Sequence, residues 1–173
     1  LVKRAACRRR GLAVDEDRQA QNHAFGAALQ LAHVAWPARR QQRLVLLRGI
    51  ADTGAATLSA EMFGWRRFRN RREVGACAGL TPTPYQSGDS QREQGISKAG
   101  NRRVRRLIVQ LSWQWLRHQP DSVLTQWFQR RYGGTGKRGR RVGIVALARK
   151  LLIALWRYVE DGEVPAGARL KAA

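Results

Sequence analysis

Apolar residues recur with helical spacing along most of the chain. The clearest stretch follows Asn101, and its apolar residues lie three, four, seven and eleven positions after the first: Val104, Leu107, Ile108, Leu111 and Trp115. A second stretch covers residues 142–160, with one apolar face made of Ile144, Ala148, Leu151, Leu152, Leu155 and Val159. Because this period places one face of each helix against a core, and no strand-like alternation is sustained, we predict a compact, mainly α fold.

Weaker patterns predict further helices over roughly 23–35, 39–48 and 71–78, and one that begins at Pro120. After the second of these, Gly49 makes a turn and a new helix is expected near Thr53. This order resembles a helix-hairpin-helix, whose turn amides can hold a phosphate, although an ordinary turn between helices explains it as well.

Two segments interrupt the helical pattern. Residues 80–100 contain prolines and glycines without periodicity, which predicts a long loop, and loops of that length inside a domain are usually functional or disordered. Residues 133–141 (GGTGKRGRR) are expected to form a flexible basic loop. In the segment between Gly64 and Asn70, Trp65 and Phe68 are expected to pack.

The charge of the chain is strongly positive. Thirty-three Lys and Arg against 12 Asp and Glu give a net charge of +21. Residues 66–141 hold 18 basic and 4 acidic residues, a net charge of +14, so two thirds of the excess lies there. Such an excess indicates a polyanionic partner, most commonly nucleic acid. The helix after Asn101 opens with four arginines, which is unfavourable at a positive helix terminus unless an anion balances them.

Several other chemistries find little support. The acidic residues stand in terminal clusters or singly among arginines, and the three histidines lack metal-ligand spacing, so no metal site is predicted in this chain. Cys7 and Cys77 lie far apart without a CxxC, which disfavours zinc or a disulfide framework and fits the reducing cytoplasm. No apolar run reaches the ~18 residues of a membrane span, so no membrane partner is expected.

Serine hydroxyls in residues 80–100 offer a different chemistry. A serine can attack a phosphodiester when its deprotonation is assisted and fixed cations neutralise the charge that develops on phosphorus. Ser87 and Ser90 are the candidates, and cations follow them closely: Arg92, Lys98, Arg102, Arg103 and Arg106. From the residues alone, a turn-forming role for both serines stays the alternative. If one is a nucleophile, we expect Lys98, Arg102 and Arg103 to hold the reacting phosphate.

Three motifs follow one another in this region: Gly-Leu-Thr-Pro from Gly79, Tyr-x-Ser-Gly from Tyr85, and Gly-Ile-Ser-Lys-x-Gly-Asn from Gly95, followed by the arginine-containing helix. Their order resembles the C-terminal domain of the insertion-sequence 110/116/902 transposase family. The segment 143–168 is also similar to the usual ending of that family. The resemblance covers about residues 41–168, which leaves residues 1–40 as a poorly matched leader and 169–173 as a tail.

The resemblance implies a DNA recombinase of mobile elements, with the family's catalytic serine at Ser87 and not at Ser90, which lacks the Tyr-x-Ser-Gly setting. Full-length members add an N-terminal RuvC-like domain with a DEDD tetrad and a divalent metal, act as multimers, and are guided by an element-encoded RNA. No residue here matches the tetrad, and the chain starts without Met. We therefore expect a C-terminal domain without its own cofactor, inactive in isolation.

Two other interpretations stay open. The chain can be a non-catalytic helical module that only holds nucleic acid, or a decayed transposase reading frame without a selected function. Spaced acidic residues on strands upstream of Leu1 would favour the recombinase.

Overall fold

The structure, a computed structural model, describes residues 38–87 and 90–171, with the backbone alone at residues 84–87 and 90–94. Its elements are α1 (38–46), α2 (Asp52–Leu58, continued by a π-helical turn Ser59–Phe63), α3 (Arg71–Cys77), β1 (Pro82–Ser87), β2 (Ser90–Ile96), α4 (Arg102–His118), α5 (Val123–Tyr132) and α6 (Lys137–Asp161). The prediction of a mainly helical fold is confirmed. The helix predicted over 23–35 lies outside the described residues.

Helices α4 and α6 form the centre of the core because each carries a continuous apolar face. Both predicted faces are confirmed, since all of their residues are buried except Leu107, which is partly buried against the core. Helix α2 and the π-helical turn pack on α4, while α3 and α5 pack on α6.

The side chain of Gln119 fixes the end of α4 to two distant parts of the chain. It is fully buried, and its amide nitrogen donates to the carbonyl oxygens of Arg48 (2.9 Å) and Arg169 (2.8 Å). Its amide oxygen accepts from the Arg169 backbone N–H at 2.7 Å. The same two segments also pair directly, since the Lys171 N–H donates to the Leu46 carbonyl.

The turn between α1 and α2 joins two helices, but a helix-hairpin-helix motif is not confirmed. Gly49 has a φ of 90°, and the Ile50 N–H closes the turn onto the Leu47 carbonyl at 3.2 Å. Helix α2 starts with the carboxylate of Asp52 and has no side-chain cap. A negative side chain in the first turn disfavours a phosphate at that helix terminus.

A buried ion pair attaches α1 to the end of α6. The Arg40 guanidinium, 4% exposed, donates to both carboxylate oxygens of Glu160 at 2.7 and 2.8 Å. It also donates to the Phe63 carbonyl at the end of the π-helical turn. Burial lowers the pKa of Arg40, and the charge of Glu160 opposes that shift. This one side chain therefore joins three segments that are far apart in sequence.

The segment predicted as a loop over residues 80–100 contains an antiparallel hairpin, so that prediction was wrong. Tyr85 pairs with Arg92, and Ser87 pairs with Ser90 where the two strands end. Pro82 and Pro84 argued against a strand, but both strands of a two-stranded sheet are edges, where proline is tolerated. The Gly-Asp dipeptide between the two serines is itself a signal for a two-residue hairpin connection.

The prediction of a loop over residues 133–141 was also wrong for residues 137–141, because α6 begins at Lys137. The Arg140 N–H donates to the Gly136 carbonyl at 3.1 Å, which closes the first helical turn. Further along, Gly143 lies directly under the ring of Tyr132, where an added Cβ would approach the ring to 2.5 Å. Gly143 thus allows α5 to pack closely against α6, and it lies within the helix and not in a loop.

Trp65 does not pack as expected, whereas Phe68 packs against the core as predicted. The indole of Trp65 is 60% exposed and donates to the Ala60 carbonyl at 3.0 Å. The Arg66 guanidinium lies 4.4 Å from its ring centre. A cation–π contact and a hydrogen bond at the surface take the place of burial.

Candidate nucleic-acid interface and hairpin

Backbone hydrogen bonds and two glycines hold the base of the hairpin, residues 78–81 and 97–100. The Ser97 N–H donates to the Thr81 carbonyl at 2.8 Å, and the Lys98 N–H donates to the Gly79 carbonyl at 3.1 Å. Gly79 (φ 67°) and Gly100 (φ 148°) lie so close that a Cβ on Gly100 would be 2.7 Å from the Gly79 nitrogen. Only glycine permits this approach at both positions.

Arg105 anchors both arms of the hairpin base to α4. Its Nη1 donates to the carbonyl oxygens of Ala78 and Lys98, each at 3.0 Å. Its charge therefore serves a structural contact, which sequence reasoning did not predict. A residue of any type can supply a backbone carbonyl acceptor, so no sequence signal marked this role.

Glu61 balances part of the positive charge at the start of α4. Asn101 caps the helix through its Oδ1, and its Nδ2 donates to Glu61 at 2.8 Å. Arg103 forms an ion pair with the other carboxylate oxygen at 3.0 Å. The hydrogen bonds from Asn101 and then Arg103 hold the pKa of Glu61 below its usual value. An acidic side chain from the π-helical turn thus supplies one of the anions that the arginine-rich helix start requires.

The remaining cations are open to solvent. Lys98, Arg102 and Arg106 are exposed, and within the described part of the chain their side chains form no ion pair. The Arg103 side chain is 81% exposed even while it contacts Glu61. We call Lys98, Arg102, Arg103 and Arg106 the cationic surface. The structure therefore brings together four of the five cations predicted from the sequence.

The candidate serines are brought together at the other end of the hairpin. Ser87 and Ser90 are paired residues, and Arg92 lies on β2 opposite Tyr85. Five residue steps separate Pro82 from Ser87, which at the rise of a strand is about 16 Å. The structure thus separates Ser87 from the hairpin base, beside which the cationic surface lies.

No cluster of three His, Cys, Asp or Glu side chains that could ligate a metal is present among residues 38–83 and 95–171 or at the other described positions. The described residues therefore do not fit the acidic metal site that the resemblance implies for the N-terminal domain.

Among the described helices, none combines the length and apolar character needed to cross a membrane.

The described residues form a helical body with an arginine-rich helix beside a hairpin that carries two serines. Residues 41–127 match the family model described as Transposase IS116/IS110/IS902 family, and the chain belongs to this family. It is similar to "Putative transposase y4rJ" of Sinorhizobium fredii, with 51% identity over 129 residues, which cover 74% of this chain and 32% of that protein.

Two further relatives are more distant. The chain is 32% identical over 126 residues to "Transposase for insertion sequence element IS1328" of Yersinia enterocolitica, covering 71% of this chain and 36% of the relative. It is 28% identical over 124 residues to "Transposase for insertion sequence element IS1111A" of Coxiella burnetii, covering 70% and 33%. The chain spans about a third of the length of these curated relatives.

Proposed function

We propose that this chain is the DNA-binding and serine-bearing part of an insertion-sequence transposase, with Ser87 as the nucleophile. The observation that carries the proposal is the hairpin, which presents the Tyr-x-Ser-Gly motif at the end of a strand anchored beside the cationic surface. Family membership supports DNA as the substrate.

The proposed reaction is a transesterification. The Ser87 oxygen attacks a DNA phosphorus, an O–P bond forms, and the bond from phosphorus to one deoxyribose oxygen breaks. The serine proton passes to a general base and the departing oxygen takes up a proton, so bonds to phosphorus and protons both balance. The covalent phosphoserine ester conserves the free energy of the broken phosphodiester bond, which is then available for rejoining a DNA strand.

The position of the hairpin changes the role we propose for the cationic surface. About 16 Å along a duplex corresponds to roughly five base pairs, since each strand carries one phosphate per ~3.4 Å of axis. Lys98 and Arg102 would therefore hold phosphates several base pairs from the one that reacts at the Ser87 of the same chain. We propose that Arg92, which lies on β2 two residues from the Ser90 that pairs with Ser87, acts together with groups outside this chain to neutralise the reacting phosphate.

Three further elements of the family resemblance are part of this proposal. An acidic N-terminal domain with a divalent metal, an element-encoded guide RNA and a multimeric assembly would belong to a full-length protein that contains this part. The additional two thirds of the curated relatives give room for such a domain. A module that only binds nucleic acid, without a nucleophile, is the second candidate, and the cationic surface supports it equally.

Salt-dependent binding to duplex DNA tests the first half of the proposal. For the purified chain, Lys98→Gln together with Arg102→Gln should weaken binding for every sequence. The plot of log K against log salt has a negative slope, and the size of that slope should decrease by about one for each lost phosphate contact. Arg130→Gln, an exposed arginine at the end of α5, is the matched control and should change the slope less. A slope unchanged in the double variant would contradict this surface.

Strand cleavage tests the second half. In a full-length transposase carrying this C-terminal part, Ser87→Ala should abolish the covalent protein–DNA adduct and leave DNA binding nearly intact. Ser90→Ala is the matched control and should retain the adduct. An adduct that persists in Ser87→Ala would leave only the binding role.

A further inference from the structure

We propose that the groove between α2 and α4 binds a single-stranded segment of nucleic acid. The inference rests on the proposed nucleic-acid function and concerns a groove that shares Arg103 and Arg106 with the cationic surface and continues along α4 away from the hairpin. Stacking on Trp113 would hold one unpaired base, and the arginines at one end would hold the phosphodiester chain.

The groove is continuous along the two helices. One hollow of 640 Å³ lies beside Trp113 and the turn before α2, and a second of 610 Å³ lies toward the start of α4. The two share Leu107 and Gln110 in their walls. From Arg103 to His118 the groove follows fifteen residue steps of α4, about 22 Å at the rise of a helix.

Small residues on α2 keep the groove open. Its α2 side is formed by side chains no larger than threonine: Thr53, Gly54, Ala56 and Thr57. An added Cβ on Gly54 would come within 3.5 Å of Leu111, so the two helices already touch at the floor. The small side chains of α2 therefore leave the space above this floor open.

The charges along the groove fit an anionic chain. Arg103 and Arg106 line one end, and His118 and Lys171 line the other. The carboxylate in its wall, Glu61, is already engaged by Asn101 and Arg103. A phosphodiester therefore meets arginines at one end, Lys171 at the other, where its ammonium also donates to the Ile50 carbonyl at 3.0 Å, and no free carboxylate from these lining residues.

The middle of the groove carries groups suited to bases. Gln110 and Gln114 expose carboxamides that both donate and accept hydrogen bonds. Trp113 lies in the same wall and is 43% exposed, although tryptophan is usually well buried. An exposed indole face stacks on a base only where that base lacks a stacked neighbour, which favours a single strand over a duplex.

Parallel titrations with short homothymidine and homouridine strands and with a DNA duplex of equal length test this inference. Trp113→Ala should lower the affinity for single strands by roughly 5-fold to 150-fold, the effect of one lost base stack. Duplex affinity should stay within about twofold. Trp113→Phe, which keeps an aromatic face, should restore most of the single-strand affinity. The preferred strand identifies whether RNA or DNA occupies the groove.

Trp65→Ala is the matched control, because Trp65 is the more exposed indole yet lies outside the groove under Arg66. It should leave both affinities within about twofold. Equal losses in Trp113→Ala and Trp65→Ala, or equal losses for single strands and duplex, would overturn the groove assignment. Neither result would affect the duplex test of Lys98 and Arg102, so the two proposals fail separately.

Discussion

The helical body and the hairpin of this protein are stabilised by different forces. In the body, α4 and α6 bury continuous apolar faces, and the buried Arg40 and Gln119 side chains bond to segments far away in the sequence. The hairpin joins that core at its base, through the buried Ala78 and Leu80 and the partly buried Ile96, and its other described contacts are its own ladder and the hydrogen bonds and glycine contacts of the base. The body therefore determines folding, whereas the base of the hairpin determines where Ser87 is presented. Substitutions in the two regions should have separable effects.

The largest expected effect is in the body, where two tryptophans on α4 can be compared. Trp115 is 1% exposed and its indole donates to Ser122 at 3.1 Å, while Trp113 is 43% exposed. Trp115→Ala should lower the free energy of unfolding by about 3–5 kcal/mol through the cavity it leaves. Trp113→Ala should change it by about 0.5 kcal/mol or less. Urea unfolding monitored by circular dichroism measures both, and similar losses would contradict the packing described.

The buried ion pair of the body should come next. Arg40→Ala leaves the Glu160 carboxylate without its partner and should cost about 3 kcal/mol, the lower end for a broken buried pair because Glu160 is partly exposed. Arg39→Ala, at the neighbouring exposed position, is the control and should be nearly neutral. If both variants unfold at the same urea concentration, the pair does not anchor α1.

A smaller and local effect is expected at the hairpin base. Arg105→Gln removes a charged donor from two carbonyl groups and should destabilise the base by about 1–3 kcal/mol. Hydrogen exchange should accelerate at the amides of Ser97 and Lys98 while the amides of α6 keep their protection. Arg106→Gln, one residue along the helix and exposed, should leave both sets unchanged. Faster exchange throughout α6 would mean that the base is not separable from the body.

The smallest effect is a titration at the start of α4. Because the pKa of Glu61 is lowered on folding, its contribution to stability is present above the ordinary carboxyl pKa of about 4.3 and is lost as the pH falls through the lowered value. Asn101→Ser keeps a capping oxygen but removes the amide donor, so it should raise this pKa, and Arg103→Gln should raise it by removing the positive charge. Carboxyl NMR titration measures both, and an unchanged pKa in the serine variant would contradict the contact.

The sequence predicted the body better than the hairpin for a physical reason. The apolar period of α4 and α6 is repeated over several turns, so no single residue decides it. The sequence signal for the hairpin is the dipeptide at positions 88–89, and Pro82 and Pro84 masked that signal. The glycines of residues 133–141 also misled, because they suggested a loop where α6 already begins at Lys137.

The contacts that position the candidate site were less accessible to sequence reasoning. Arg40 and Glu160 are 120 residues apart, and Arg105 bonds to backbone carbonyls whose side chains play no part. Glu61 lies 40 residues before the helix start that it balances. Such pairings arise where elements distant in the sequence pack together, which no local pattern specifies.

The most direct test of the account is to locate the covalent bond on the hairpin. A full-length transposase carrying this C-terminal part would be trapped on DNA, digested, and the nucleotide-bearing peptide sequenced by mass spectrometry. The account predicts a phosphoester on Ser87. A modification on Ser90, or on any other residue of the chain, would contradict it.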